Sequence, residues 1–267
     1  MYLLDSVSST NEILLTLDEF ESGTVIMAKI QTSGRGRLGR NWHSEDGGLW
    51  FSVGFDLEKL LQHEKFDEID KHKIIGINLA SALAVVRALI RVGIQHAKIK
   101  WPNDVYLKER KICGILTQSR FETKNNRVVV GIGLNVNQKS SVFPNEIAKK
   151  AGSLASITGK NYNIEKILGL ILLELDSLIF DILISASIEG ICEEINQNSM
   201  LNAREVKVQH GAKVYTGVVQ RIGNDGALHL LTNAANNAES ISSLDVVLSE
   251  SSMKNVMKFY AGEIIEF

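Results

Sequence analysis

Residues able to do chemistry concentrate in three short stretches. The first is Gln31-Thr32-Ser33-Gly34-Arg35-Gly36-Arg37-Leu38-Gly39-Arg40-Asn41-Trp42, with three glycines and three arginines between Gly34 and Arg40. Glycine lets the backbone approach a ligand closely, and a guanidinium offers forked donors to carboxylate or phosphate oxygens. The pattern points to an anion site. The alternative is a basic loop facing water, which Trp42 and the apolar runs on either side argue against. Gly34-x-Gly36-x-x-Gly39 also fits the dinucleotide fingerprint, with Asp56 near the place of a ribose-binding acid. That fit fails on context, because Arg40 to Gly48 cannot form the apolar-faced helix whose N-terminus would hold a pyrophosphate.

The second stretch is Lys100-Trp101-Pro102-Asn103-Asp104, followed by Lys111-Ile112-Cys113-Gly114-Ile115-Leu116. Pro102 sets a turn between two β-type runs, where Asn103 and Asp104 either bond the local backbone or turn outward. Lys111 opens an otherwise apolar strand, so its ammonium either snorkels to a sheet edge or projects into a pocket. The third is Gly131-Ile132-Gly133-Leu134-Asn135-Val136-Asn137. Two glycines inside a strand signal a bulge, or close approach of a ligand or another backbone.

These residues need elements to position them. Ser9 stands three residues before Glu12 and ahead of an apolar run, which predicts a capped helix starting there. Thr24 to Ile30 and Leu49 to Phe55 read as strands flanking the Gly/Arg loop. Apolar residues from Lys73 to Val92 recur at three- and four-residue steps and stop at Gly93, which predicts a helix. Ala97 to Trp101, Val105 to Leu107, Lys111 to Gln118 and Val128 to Val136 predict a meander or mixed sheet, with a turn at Asn125-Asn126. Helical spacing returns over Ile164 to Ile182 and Ile188 to Ile195. The texture changes near Ser199, and Val206 to Val208, Lys213 to Ile222, Ala227 to Leu231 and Leu244 to Leu248 predict a small β-barrel with a hairpin at Asn224-Asp225-Gly226. Ser249 to Phe267 carries two apolar patches without a period.

Composition narrows the class. The 267 residues are 45% hydrophobic and 22% charged with only 2 Pro, which describes a folded chain of one large or two small domains. The net charge of -2 argues against a nucleic-acid coat. Cys113 and Cys192 have no partner pattern for a disulfide framework or a zinc site, so a reducing cytoplasm is expected. The N-terminus lacks the features of a signal peptide. The longest apolar span, Leu168 to Leu183, is interrupted by Glu174, Asp176 and Asp181, so no membrane crossing is expected.

Ser9-Thr10-Asn11, Gln31 with the Gly34 to Trp42 loop, Lys100 to Asp104, Lys111 with Gly114-Ile115-Leu116, and Gly131 to Asn137 together resemble the biotin protein ligase family, in order and spacing. The resemblance runs from Ser6 to Asn137 and continues more weakly to Gly226-Ala227-Leu228. It implies an α+β fold: a central mixed β-sheet with packed helices, of the class II synthetase-like biotin–lipoate ligase type, in a catalytic domain of residues 1–198, and a small SH3-like β-barrel with a tail in 199–267. It implies activation of biotin by ATP to biotinyl-5'-AMP, then transfer to a lysine of a biotin carboxyl carrier protein such as an acetyl-CoA carboxylase subunit. By this resemblance Ser9, Thr10, Asn11, Gln31, Gly34, Arg35, Gly36, Arg37, Lys111, Gly114, Gly131 and Gly133 line the biotin pocket. Arg37, Arg40, Trp42, Lys100, Asn103, Asp104, Lys111 and Asn135 serve ATP, with Trp42 on adenine. Lys111, Arg37 and Arg40 stabilise charge during reaction. Magnesium arrives with ATP near Asn135, with no dedicated protein site and no permanently bound cofactor. Some relatives carry an N-terminal DNA-binding domain; the first motif here begins at Ser9, so no nucleic-acid partner is expected. The resemblance leaves monomer and homodimer open. Relatives often offer an arginine and a glutamate from the barrel, and no arginine stands between Ser242 and Glu250. The alternatives are a lipoate–protein ligase, which shares the fold and chemistry, and a non-catalytic biotin or nucleotide sensor.

Overall fold

The computed structural model describes residues 1–56, 71–120, 126–185, 187–232, 246–248 and 256–267. Strands β1 (Tyr2–Val7) and β2 (Thr24–Gln31) run parallel, with helix α1 (Thr10–Thr16) in the crossover that a parallel pair requires. β2 then pairs antiparallel with β3 (Leu49–Asp56), and β3 with β7 (Arg127–Leu134). β6 (Arg110–Arg120), β5 (Asp104–Leu107) and β4 (Lys98–Lys100) complete a seven-stranded mixed sheet of order β1-β2-β3-β7-β6-β5-β4. The expected turn at Asn125-Asn126 falls partly outside the described residues, but β6 and β7 pair without interruption from Cys113↔Leu134 to Arg120↔Arg127. That unbroken register excludes a bulge at Gly131 and Gly133.

The periodic segment before Gly93 forms α2 (Lys71–Arg91), whose many buried alanines let it lie close between the sheet and α4 (Ile164–Ser185). Among the described residues α2, rather than α4, holds a window long and apolar enough to cross a membrane, and 67% of that window is buried in the core. Glu174 of α4 is 5% exposed and pairs with Arg87 at 3.3 Å and Arg91 at 2.6 Å, both on α2. Arg87 also reaches Glu194 of α5 (Glu189–Asn198). Glu174, one of the acidic residues that interrupt the apolar span, thus fastens α4 to α2, while Asp176 and Asp181 are exposed. A buried carboxylate stripped of such partners costs about 3–5 kcal/mol.

Past α5, β8 (Glu205–His210), β9 (Lys213–Ile222), β10 (Leu228–Leu231), β11 (Val246–Leu248), β12 (Val256–Phe259) and β13 (Glu263–Glu266) form an antiparallel sheet of order β11-β12-β10-β9-β8-β13, compatible with the SH3-like expectation. The hairpin forms where expected: Gly226 takes φ +79° and its N–H donates to the Gly223 carbonyl at 2.8 Å. Leu244 and Asp245 of the last expected strand, and 249–255 of the tail, lie outside the described residues. The two apolar patches without a period are β12, paired with β10, and β13, paired with β8.

One local expectation needs correction, and two elements carried no signal in the sequence. α1 starts at Thr10 after Ser9, but the Ser9 hydroxyl makes no capping bond; Glu12 instead accepts from the Ser8 hydroxyl at 3.0 Å. β1 carried no readable pattern because it is an edge strand with every residue at least partly exposed. α3 (Leu154–Thr158) escaped notice because its capping box is built from Ser153 and Ser156 in place of a Ser and a Glu.

Candidate active site

A cavity of about 340 Å³ opens on the face of the large sheet that α1 and the Gly/Arg loop share. Of the residues expected at the site, Ser9, Thr10, Asn11, Gln31, Arg35, Gly36, Arg37, Arg40, Trp42, Lys100, Asn103, Asp104, Lys111, Gly114, Gly131, Gly133 and Asn135 all line it. Gly34 does not. Its role is in the loop itself: it accepts from the Trp42 N–H at 2.8 Å, and a β-carbon there would fall 2.7 Å from the Ser44 hydroxyl.

One end of the cavity is a fixed, uncharged polar network. Gln31 Oε1 accepts from the Thr10 N–H at 2.9 Å and from its hydroxyl at 3.1 Å, while Gln31 Nε2 donates to Ser44 Oγ at 2.8 Å. Asn11 donates to the Leu116 carbonyl at 3.1 Å and to Gln118 Oε1 at 2.8 Å, and its Oδ1 lies 2.6 Å from the Ser52 hydroxyl. Buried polar groups satisfied in this way hold one orientation, which is what a site needs to select a neutral polar ligand. Ser44, Ser52 and Gln118 belong to this network and carried no signal in the sequence, since an isolated serine or glutamine has no distinguishing spacing.

The other end is cationic, and its side chains come from distant parts of the chain. Lys111 Nζ meets Asp104 Oδ1 at 2.6 Å, so this lysine projects into the pocket and is not an edge charge. Its backbone is clamped by the segment ahead of α3: the Lys111 N–H donates to Lys150 O at 2.7 Å and the Gly152 N–H to Lys111 O at 3.1 Å. Arg37 donates to Asn103 Oδ1 at 3.1 Å and to the Gly262 carbonyl at 3.2 Å. Burial lowers the Arg37 guanidinium from its ordinary value, against the opposing pull of Asp104 and Glu263. Arg40 pairs with Glu263. Arg35 points away: its side chain is 58% exposed and lies 3.8 Å from Glu12, so only its backbone suits the pocket.

Between the ends lies Trp42. Its indole sits on Gly114 and Gly133, which face each other across β6 and β7. A β-carbon at Gly114 would come 2.9 Å from the ring, and one at Gly133 would overlap the indole nitrogen. The strand glycines therefore make room for side chains: Gly131 likewise admits Asn11. Lys111 Nζ stands 5.2 Å from the Trp42 ring centroid, and Trp50 meets the same ring edge-on.

Asn103 and Asn135 are spent on the walls. Asn103 Nδ2 donates to the Ile115 carbonyl at 2.8 Å; Asn135 donates to Gly152 O at 3.1 Å and accepts from Gln138 at 3.3 Å. Among the described residues no cluster of three metal-ligating side chains exists. The Asn135 amide nitrogen is committed to Gly152, while its carbonyl oxygen accepts only the long bond from Gln138. Phe143, Ile147, Lys150, Ala151, Glu263 and Ile264 also line the cavity without having been anticipated.

The profile described as the biotin/lipoate A/B protein ligase family matches residues 3–135. Residues 3–135 form a domain of the biotin/lipoate A/B protein ligase family. Similar curated relatives include the bifunctional ligase/repressor BirA of Bacillus spizizenii, 37% identical over 160 residues, covering 58% of this chain and 46% of that protein. The biotin–[acetyl-CoA-carboxylase] ligase of Mycobacterium tuberculosis is 34% identical over 139 residues, covering 51% of this chain and 46% of that protein. The match thus spans about half the length of these curated relatives. A solved biotin protein ligase from Aquifex aeolicus, in complex with biotin and ATP, superposes with a TM-score of 0.75 at 29% identity, covering 98% of this chain and 96% of that one. The ligase-family fold accordingly extends through the six-stranded C-terminal sheet.

Proposed function

We propose that this protein is an ATP-dependent biotin protein ligase. The observation that carries the reading is one cavity joining a preset polar pocket at Thr10, Asn11 and Gln31 to the cations Arg37, Arg40, Lys100 and Lys111. Such a site brings a biotin carboxylate to ATP. A carboxylate oxygen attacks the α-phosphorus, the new P–O bond forms, the bond to the β-phosphate oxygen breaks, and pyrophosphate leaves. Two anions must meet, so preorganised cations supply most of the stabilisation. In the second step a neutral lysine amine of the carrier attacks the acyl carbon; the amide forms, AMP leaves, and the amine loses a proton. Lys111 and Arg37 face the reacting carboxyl, Trp42 offers its ring to the base, and magnesium enters with ATP as substrate. The relative's name supports a carboxylase carrier domain as acceptor. We place the enzyme in the cytoplasm, divided into a catalytic unit of 1–198 and a β unit of 199–267.

The test is incubation with biotin, Mg-ATP and a carrier domain bearing the acceptor lysine, read with labelled streptavidin. ATP-dependent labelling is expected. Excess lipoate should not reduce the labelling; carrier modification by lipoate and not by biotin would make it a lipoate ligase. Biotin binding without labelling would favour a sensor.

An acyl-adenylate hydrolyses when water reaches it, so the Gly34–Trp42 loop is expected to order over the intermediate. Leu38 at its tip is 75% exposed with φ +56°, a conformation costly for a leucine. Trypsin cleavage at Arg35 and Arg40 should slow when biotin and ATP are added together. Equal rates would contradict the closure.

A further inference from the structure

Gly262, Glu263 and Ile264 engage three of the cavity's cations: the Gly262 carbonyl accepts from Arg37, Glu263 pairs with Arg40, and the Ile264 carbonyl accepts from Lys100 Nζ at 3.0 Å. Beyond them, the Phe267 ring lies over Lys100, with Nζ 4.3 Å from its centroid. Tyr106 completes the enclosure at 5.8 Å from Nζ and meets Phe267 edge-to-face at 6.3 Å. Lys100 therefore has one backbone acceptor and two aromatic faces. A lysine on a four-carbon stem at a cavity mouth otherwise carries its charge out to water.

We infer that Phe267 is a positioning residue whose ring, together with Tyr106, holds the Lys100 ammonium at the nucleotide-phosphate end of the cavity. The inference rests on the ligase reading and adds to it a role for the far end of the second sheet. Burial lowers the Lys100 ammonium to about 8, in the company of Asp104, Lys111, Glu263 and Arg40, while burial raises the neighbouring Tyr106 phenol. Lys100 is charged below that value and neutral above it. Its help to an anionic substrate is thus present at neutral pH and fades as pH rises through about 8.

The experiment is biotin-dependent ATP–pyrophosphate exchange across pH for wild type, F267A, F267L and F267Y. Loss of the ring frees and rehydrates Lys100, so F267A should raise KM for ATP about three- to tenfold, the size of a partly desolvated cation–π contact. The alkaline limb of kcat/KM for ATP should also move up, toward an ordinary lysine, while KM for biotin stays put. F267L keeps apolar bulk without a ring and should share the ATP defect; F267Y should restore the wild-type value. Phe267 is 44% exposed, so the fold does not depend on it, and F267L tests the ring even if F267A is unstable. Exchange present in wild type but unchanged in F267A and F267L, or restored equally by leucine and tyrosine, would overturn the role of Phe267 alone. No exchange in wild type would overturn the ligase reading and this role with it.

Discussion

Lys111→Ala should lower the rate of biotinyl-adenylate formation about 10²- to 10³-fold, the loss seen when one preorganised donor is removed from a developing charge. Biotin affinity should fall by less. The asymmetry follows from where Lys111 stands. Its ammonium is paired with Asp104 at 2.6 Å and lies over Trp42, at the cationic end, while the polar network of Thr10, Asn11 and Gln31 does not touch it. Removing the side chain also leaves the Asp104 carboxylate without its partner in a cavity meant for phosphates. That carboxylate then repels the nucleotide, so KM for ATP should rise as well. Single-turnover adenylation and biotin binding by calorimetry separate the effects. Equal losses in binding and turnover would contradict a catalytic role and favour a sensor, which has no need of this charge.

The second large effect is expected from the strand glycines, and it splits the two substrates. In Gly131→Ala the new methyl overlaps Asn11 Oδ1. Asn11 cannot yield, because Ser52, Leu116 and Gln118 hold its amide on both sides. The clash must break a buried hydrogen bond, which costs about 1–3 kcal/mol, or move the strand. KM for biotin should therefore rise about 10- to 100-fold, with a lower melting temperature from overpacking. In Gly133→Ala the methyl meets the Trp42 indole instead. Trp42 sits on a loop and its indole nitrogen has no hydrogen-bond partner to lose, so the ring lifts. KM for ATP should rise with little change in stability. Steady-state KM values for both substrates in both variants are the measurement. The same profile in the two variants would mean that the glycines serve the sheet alone.

The pieces of the site were legible because each is local. Gly and Arg in one loop, Lys-Trp-Pro-Asn-Asp in one turn and paired glycines in one strand have physical uses that short spacing reveals, and their order sufficed to suggest the family. The helix over Lys71–Arg91 was legible for the same reason, as a long periodic face. Edge strand β1 was not, since an exposed strand has no buried side to write a pattern.

Alternatives that the residues left open were closed only by contacts across the chain. Whether Lys111 was an edge charge or a pocket charge depended on Asp104 across the β5–β6 pair and on the 150–152 segment that clamps its backbone. Whether Gly131 and Gly133 marked a bulge or a close approach depended on β6, which pairs with them in unbroken register, and on the side chains that fill the space above them, Asn11 and Trp42. Glu263 stands 223 residues from Arg40. No spacing rule connects them, because the second sheet brings its last strand to the cavity through its pairing with β8, a matter of side-chain packing and register. Sequence by itself determined which chemical groups this protein owns and the local turns that present them. Tertiary structure alone decided which groups meet, since burial and charge pairing are properties of neighbours in space and not of neighbours in the chain.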